Sequence, residues 1–288
     1  MGWLNAVIQG VLLGGLYALF AAGLSVMFGV MRIINLAHGD LSVVAAFLAL
    51  AMVSGTGLPL WIVLVVTVPL FALLGYLTQR VLLQRSLGAG PLATLLVTFG
   101  LSIVLQNVLL EIFSADTRTL DGGAFATGSF QVTGSISLGY LSVVTFLLAC
   151  AALIGIQFFL SRTGLGRMLR ASSDDRETAS LMGADSRHVY GIATAIAFAT
   201  VALAGLMFAV RSSFDPSIGP SRLIFAFEAV VIGGLGSLWG TLLGGMVLGI
   251  TQSLGAQIDP ALTMLAGHLV FLAVLAFRPQ GLLTGRTA

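Results

Sequence analysis

Long apolar stretches alternate with short polar ones along the whole chain. No acidic or basic residue falls within 4–31, 41–79, 86–110, 188–210 or 229–258. A helix needs about 20 apolar residues to cross a bilayer, so each run can hold at least one crossing. The run 41–79 is too long for one, and SGTGLP at 54–59 offers a turn inside it. The runs are rich in Leu, Ala and Val without period-two alternation, so they predict helices and not the strands of a barrel. The expected segments are 4–30, 41–54, 59–79, 91–112, 138–160, 191–210, 224–236, 241–256 and 261–277. The fold class is therefore all-α polytopic: one transmembrane domain over 1–288 with about eight or nine transmembrane or re-entrant helices. Segments 41–54 and 224–236 are short for a bilayer, as broken or re-entrant helices beside a transport path are.

Composition sharpens this reading. Of the 288 residues, 58% are hydrophobic and 8% charged, and the mean hydropathy is +1.06. A soluble domain carries about 25% charge, and so few charges could not cover its surface. All thirteen basic residues are arginine, which excludes a phosphate-loop lysine or a lysine nucleophile on this chain. The single cysteine, Cys150, lies in an apolar run and reads as a packing residue. Neither a metal site nor a cofactor is implied, nor is nucleic acid, and membrane lipid is an expected partner.

The arginines set the topology, because basic loops stay cytoplasmic. Arg162, Arg167, Arg170, Arg176 and Arg187 place 161–190 inside, with Arg80 and Arg85, and Arg278 and Arg286 put the C-terminus inside. The 114–137 loop, with one arginine and two aspartates, faces outward, and so must 211–222 despite Arg211 and Arg222. Small residues recur at three- and four-residue spacing in 10–24 and 233–249, which suits close helix packing. Gly233, Gly234 and Gly236 are dense enough to break a helix.

Two polar stretches carry the candidate chemistry. RIINLAHGD, at 32–40, packs Arg32, Asn35, His38 and Asp40 between apolar runs. It reads either as a capped turn, with Asn35 and Asp40 as caps, or as a broken helix beside a path shaped by Asn35, His38 and Gly39. Glu228, inside a short apolar segment, is functional by default; it could pair with Arg222 or Arg32, bind a substrate ammonium, or reach the interface. Gln9, Gln106, Asn107 and Gln252 are expected to bond between helices. The second stretch is 161–191. DDRE offers a capping box with Asp174 at the N-cap and Glu177 three residues on, predicting a short helix from Asp175 to about Met182 that Gly183 ends. It is either a solvated loop or a helix offered to a partner's groove.

The spacing in ETASLMG, with Glu177, Ala179 and Gly183, resembles the coupling motif of ATP-binding-cassette importer permeases, with Thr178 in place of an alanine. GLYALFAAGLSVMFGVMRIINLAHGD, RTGLGRMLRASSDD, EAVVIGGLGSLWGTLLGG and RPQGLL resemble the LivH-type permeases of branched-chain amino acid uptake systems, a likeness that spans nearly the whole chain. The resemblance implies a permease subunit in the bacterial inner membrane, moving branched-chain amino acids, other amino acids, amides or urea by alternating access. It also implies the partners: a LivM-type second permease (a homodimer stays open), two ATPase subunits and an external binding protein. ATPase coupling would fall to Arg167, Arg170, Asp174, Glu177, Ala179 and Gly183, and the substrate path to Asn35, His38, Gly39, Glu228, Gly233, Gly234 and Gly236. A gradient-driven carrier or channel is the alternative. An intramembrane serine enzyme built on Ser237 and His268 is a second one.

Overall fold

The computed structural model describes residues 2–133 and 136–283. Helix α1 (Gly2–Met31) is followed by an extended stretch and α2 (His38–Thr56). Helix α3 (Leu60–Thr78) continues through a π-helical turn (Gln79–Leu83) into α4 (Gln84–Leu87), and α5 is Pro91–Phe113. The loop before α7 (Tyr140–Arg162) holds α6 (Gly123–Thr127) and an antiparallel hairpin of β1 (Ser129–Thr133) and β2 (Ile136–Gly139). Then come α8 (Gly164–Asp174), α9 (Arg176–Leu181), α10 (Ser186–Arg211), α11 (Gly219–Gly233), α12 (Leu238–Ile258) and α13 (Leu262–Phe277).

Each of the nine expected segments has its helix. Among the described residues six are long and apolar enough to cross a membrane, or seven if α11 and α12, bent by 116°, form one span. The expected eight or nine spans are not reached on that criterion, because α11 is half of a broken pair and α13 has only 16 residues. Segment 41–54 proves longer than expected: α2 takes in the polar His38–Asp40 and has 19 residues. The hairpin is a small departure from an all-α chain, and residues 134 and 135 of the 114–137 loop lie outside the described residues.

An order of elements occurs twice. A helix, a non-helical stretch and three further helices make up each of two halves, α1–α2–α3–α5 and α10–α11–α12–α13. Helix α1 packs on α12 and α11, while α10 packs on α3 and α2; α1 meets α10, and α2 meets α11, where the halves join. The 18-residue cores of α1 and α10 are 83% and 72% enclosed, against 22% for α5, so α1 and α10 form the centre and α5 the lipid-facing layer.

Within lipid, packing and not water exclusion holds helices together, so close approach decides. Gly10 and Gly14 of α1 lie against Gly245 and Gly249 of α12. A Cβ on Gly14 would come within 2.5 Å of Met246 Cα, so only glycine lets these backbones touch. At one end of the bundle, Arg118 and Phe214 exchange backbone hydrogen bonds at 2.8 Å, joining the 114–137 loop to the start of 211–222. At the opposite end, Ser173 Oγ of α8 donates to the Gly29 carbonyl near the end of α1.

Candidate functional site

The stretch 32–40 re-enters the bundle. Arg32 takes a φ of 54°, a left-handed value uncommon outside glycine, and turns the chain back beside α1. His38, the first residue of α2, donates through Nε2 to the Phe20 carbonyl at 2.8 Å. A carbonyl can only accept, so Nε2 carries the proton. Phe20 lies 11 residues before the end of α1, so the chain has returned by about 16 Å at a helical rise of about 1.5 Å per residue. Gly23 leaves room for the imidazole: a Cβ there would sit 2.7 Å from His38 Cε1.

The expected caps are not the caps. Ala37 stands at the N-cap of α2 without a side-chain bond. Asn35 Oδ1 instead accepts from Ala37 N at 3.0 Å, closing a turn ahead of the helix. Asp40 lies inside the first turn, where a carboxylate suits the helix N-terminus. Ser102 of α5 donates to Asp40 Oδ2, and Gln106 Nε2 donates to Ser102 Oγ at 3.2 Å. Asn35 Nδ2, His38 Nδ1 and Asp40 Oδ1 are buried without a hydrogen-bond partner. Buried polar atoms are seldom left so, and three in one short stretch give the bundle centre free hydrogen-bonding capacity. Gly39 presses on Gly219 at the start of α11: a Cβ on Gly39 would collide with the Gly219 carbonyl oxygen and lie 2.8 Å from Leu223 N. Both partial helices thus begin at one point inside the bundle.

Glu228, on the enclosed side of α11, pairs with neither Arg32 nor Arg222. Its Oε1 meets His268 Nδ1 of α13, and its Oε2 is buried without a partner. The Arg222 guanidinium lies over the rings of Phe208 and Phe225, at 4.2 and 5.6 Å. The Phe225 ring stacks on His268 with centroids 6.1 Å apart and sits 5.4 Å from the Tyr17 ring. Tyr17 in turn donates to Gln252 Oε1 of α12. Gln252 thus bonds between helices as expected, and Gln9 reaches the Ser137 carbonyl at 2.7 Å. Gln106 bonds Ser102 within α5 and also reaches Asp40 of α2, between helices as expected, whereas Asn107 bonds within α5 instead.

The glycine-dense stretch breaks the chain as its composition predicts. Gly234 and Gly236 take φ values of 111° and 81°. The end of α11 is closed by the C-terminal strap: Leu282 N and Leu283 N donate to the Ile232 and Gly233 carbonyls at 2.8 and 3.0 Å. Ser237 Oγ accepts from Gly240 N at 3.1 Å and caps α12. Ser237 therefore serves α12 and His268 serves Glu228, which leaves no serine–histidine couple. Among the described residues, no group of three His, Cys, Asp or Glu side chains could hold a metal ion.

The polar segment folds into two short helices. Thr163 Oγ1 caps α8 by accepting from Gly166 N, and Leu169 is buried against the bundle. Asp174 closes α8, and the cap of α9 is Asp175, one residue later than expected. Asp175 Oδ1 accepts from Glu177 N and Thr178 N, at 2.9 and 3.1 Å, and Thr178 Oγ1 donates to Oδ2 at 2.6 Å. The reciprocal partner is therefore Thr178 and not Glu177. The Thr178 hydroxyl and N–H hold the Asp175 carboxyl below its ordinary value. Its charged form thus favours the fold above the usual carboxylate range, and that contribution fades as pH falls through the lowered value. Gly183, at φ 89°, ends the helix as expected, with Ala184 N bonded to the Ala179 carbonyl and Gly183 N to that of Ser180. Ala179 turns inward, while Glu177, Arg167 and Gly183 are exposed. At the tip, Leu181 and Met182 are 86% and 85% exposed.

Of the expected path residues, Asn35, His38 and Gly39 gather where the halves meet, while Gly233, Gly234 and Gly236 lie at the α11–α12 break beside the strap, and Glu228 lies between them along α11. Ser102, Tyr17 and Phe225 were not among the expected site residues, while Arg222 was expected only as a partner of Glu228 and His268 only as a partner of Ser237. For Ser102 and Tyr17 the sequence signal is a polar residue inside an apolar run; Phe225 carries none.

Residues 6–276 match the family described as "Branched-chain amino acid transport system / permease component". The high-affinity branched-chain amino acid transport system permease protein BraD of Pseudomonas aeruginosa is 31% identical, over 98% of this chain and 95% of its own. LivH of Escherichia coli is 28% identical over the same shares, and LivM of Escherichia coli 26% identical over 93% of this chain and 68% of its own. PsaBC from Streptococcus pneumoniae in complex with Fab covers 96% of this chain and 92% of that one at 17% identity and a TM-score of 0.48, too distant a likeness to bear on the fold. With the family match running over residues 6–276, through both halves, the chain belongs to the branched-chain amino acid transport system permease family.

Proposed function

We propose that this chain is one permease subunit of an ATP-driven importer for branched-chain or related amino acids, working by alternating access. Its partners are a LivM-type second permease, two ATPase subunits and an external binding protein. The observation that carries this reading is α9. It is a helix capped at both ends, outside the apolar bundle, presenting Leu181 and Met182 to solvent. A small apolar knob on a rigid polar segment suits insertion into a partner's groove. Arg167, Arg170, Asp174, Glu177, Ala179 and Gly183 belong to this docking surface or to its frame. Because α8 is tied to the end of α1, a push on α9 is delivered to the helix beside which 32–40 re-enters.

In this reading the face carrying α8, α9 and the C-terminal strap is cytoplasmic, in line with its arginines. The path runs past Asn35, His38 and Gly39, past Glu228, and past the break at Gly233, Gly234 and Gly236. Those breaks are the places where backbone and polar groups inside the bundle are free to meet a solute. The test is Glu177→Arg and Gly183→Arg in the native host. Each should lose the ATPase subunits on purification in mild detergent while the permease stays folded; normal ATPase recovery and uptake in both would remove the docking assignment.

A gradient-driven carrier is the second reading, and the Glu228–His268 pair favours it, since such carriers place ionisable pairs inside the membrane. Transport by the purified chain in liposomes without ATP would decide for it.

A further inference from the structure

Four ionisable or aromatic side chains form one continuous line on the α11–α13 side: Arg222, Phe225, His268 and Glu228. Arg222 lies over Phe225, Phe225 stacks on His268, and His268 holds Glu228. Tyr17 borders the line and lies within electrostatic reach of both Arg222 and Glu228. The charges at its two ends are opposite, yet they do not neutralise each other. Each end also keeps unspent capacity: Arg222 Nε, Glu228 Oε2 and the neighbouring Gln252 Nε2 are buried without a hydrogen-bond partner. Glu228 is only 2% exposed, and Gln252 is as enclosed.

The line is not sealed. The His268 side chain is 40% exposed on α13, and Ser221 and Ile224 are exposed beside Arg222. An ionisable group within a span faces water or protein and not hydrocarbon, so this surface opens on an aqueous path or on another subunit. A donor-rich cation and a carboxylate flanking an aromatic ring match a solute carrying its own carboxylate and ammonium. We propose that Arg222, Phe225, Glu228 and His268 form an intramembrane subsite that reads the charged ends of the amino acid in transit. Arg222 takes the α-carboxylate, Glu228 Oε2 the α-ammonium, and His268 is a positioning residue that holds Glu228. The proposal rests on the importer reading.

Two measurements on the whole complex, in ATP-loaded proteoliposomes with its binding protein, test it. In the first, Glu228→Gln and Arg222→Gln should each lower leucine import by on the order of tenfold or more, as expected for losing one charge-assisted contact. ATP hydrolysis stimulated by the binding protein should persist in both, so that ATP is spent without import. In the second, Ser221→Cys is placed in a Cys150→Ser background, which leaves it the sole cysteine of this chain, and labelling is read on this subunit. A water-soluble thiosulfonate should label it, and leucine-loaded binding protein with a non-hydrolysable ATP analogue should slow labelling roughly fivefold. Unchanged leucine import in both charge variants, or labelling that leucine does not slow, would overturn the subsite while wild-type import proceeds. If the wild-type complex imports no amino acid at all, the importer reading fails instead.

Discussion

Where α1 crosses α12, glycine meets glycine; where α10 crosses α3, Gly75 meets the Thr194 carbonyl and Gly191 meets a ring. Gly14 lies against the Met246 backbone, whereas Gly191 of α10 faces the edge of Tyr76, with a Cβ there 2.6 Å from Tyr76 Cε2. The two starts inside the bundle differ in the same spirit. Helix α2 begins with His38 and Asp40, both tied to neighbouring helices and fully enclosed. Helix α11 begins with Gly219 and Pro220 and carries its charges, Arg222 and Glu228, further along, the first of them partly exposed. The two halves therefore differ at their starts: the first is enclosed throughout, and the second reaches a surface beside Arg222 and at His268 while its Glu228 stays buried.

The strongest way to break this comparison is at the point the halves share. Gly39→Val sets a branched side chain against the Gly219 carbonyl and Leu223 N, with only backbone to displace. Gly219→Val strikes the same contact from the other side, against Asp40. Overpacking typically costs about 1–3 kcal/mol, and a backbone obstacle on both flanks puts these at the upper end or beyond. Both variants should abolish the monodisperse peak in detergent size-exclusion chromatography. A folded Gly39→Val protein would mean that the two partial helices do not depend on each other.

The crossings come next. Gly14→Ala must push two helix backbones apart and should cost about 1–3 kcal/mol. Gly191→Ala needs only a ring to turn, and alanine regains up to about 1 kcal/mol of helix propensity over glycine, so it should be close to neutral. Thermal melting of the two variants side by side measures the gap. Equal shifts would show that both crossings are equally rigid and would remove the contrast.

These contrasts explain what could be read from the chain alone. Helix number and position follow from charge-free runs, because hydrocarbon tolerates little else. The break at 233–236 was legible because several glycines in four residues leave no alternative. The return of 32–40 into the bundle was legible only as one of two readings, a capped turn or a broken helix, because burial of Asn35, His38 and Asp40 depends on Gly23, Phe20 and Ser102, remote in sequence. The same reasoning covers Glu228, whose partner stands 40 positions away, so that nearby arginines looked the better match. The α9 cap missed by one residue because DD offers two equivalent aspartates, and the Thr178 hydroxyl decided between them. The packing of two similar halves was not read from the sequence, since each half makes its crossings with different residues.

The Glu228–His268 pair sharpens the contrast between the sealed and the open half with a smaller effect. His268→Ala leaves a buried acid without its one hydrogen-bond partner among the described residues and should cost about 1–3 kcal/mol. Removing both, in Glu228→Gln with His268→Ala, should cost less than His268→Ala alone, because no charge is then stranded. Melting of the single and double variants tests this, and a double variant worse than the single would show that the pair stabilises the bundle outright. A matching Asp40→Asn change in the sealed half should not be rescued by Ser102→Ala, because Asp40 is also held at a helix N-terminus.

The smallest effect on the fold is expected at α9, and there the lack of effect is the informative part. Leu181 touches so little of the bundle, at 86% exposure, that Leu181→Ser should change melting by less than about 0.5 kcal/mol, as exposed substitutions generally do. Its caps do not use the side chain: Asp175 and Thr178 hold one end and Gly183 the other. An exposed apolar residue on a rigid polar helix has no stabilising role in the isolated chain, so any loss must come from a partner. Leu181→Ser should therefore leave the purified permease unchanged and weaken recovery of ATPase subunits on salt washing by roughly tenfold, the scale of one buried leucine at an interface. A variant that melts early would mean that α9 is packed against something in its own chain, and the division between a rigid membrane core and a docking tip would have to be redrawn.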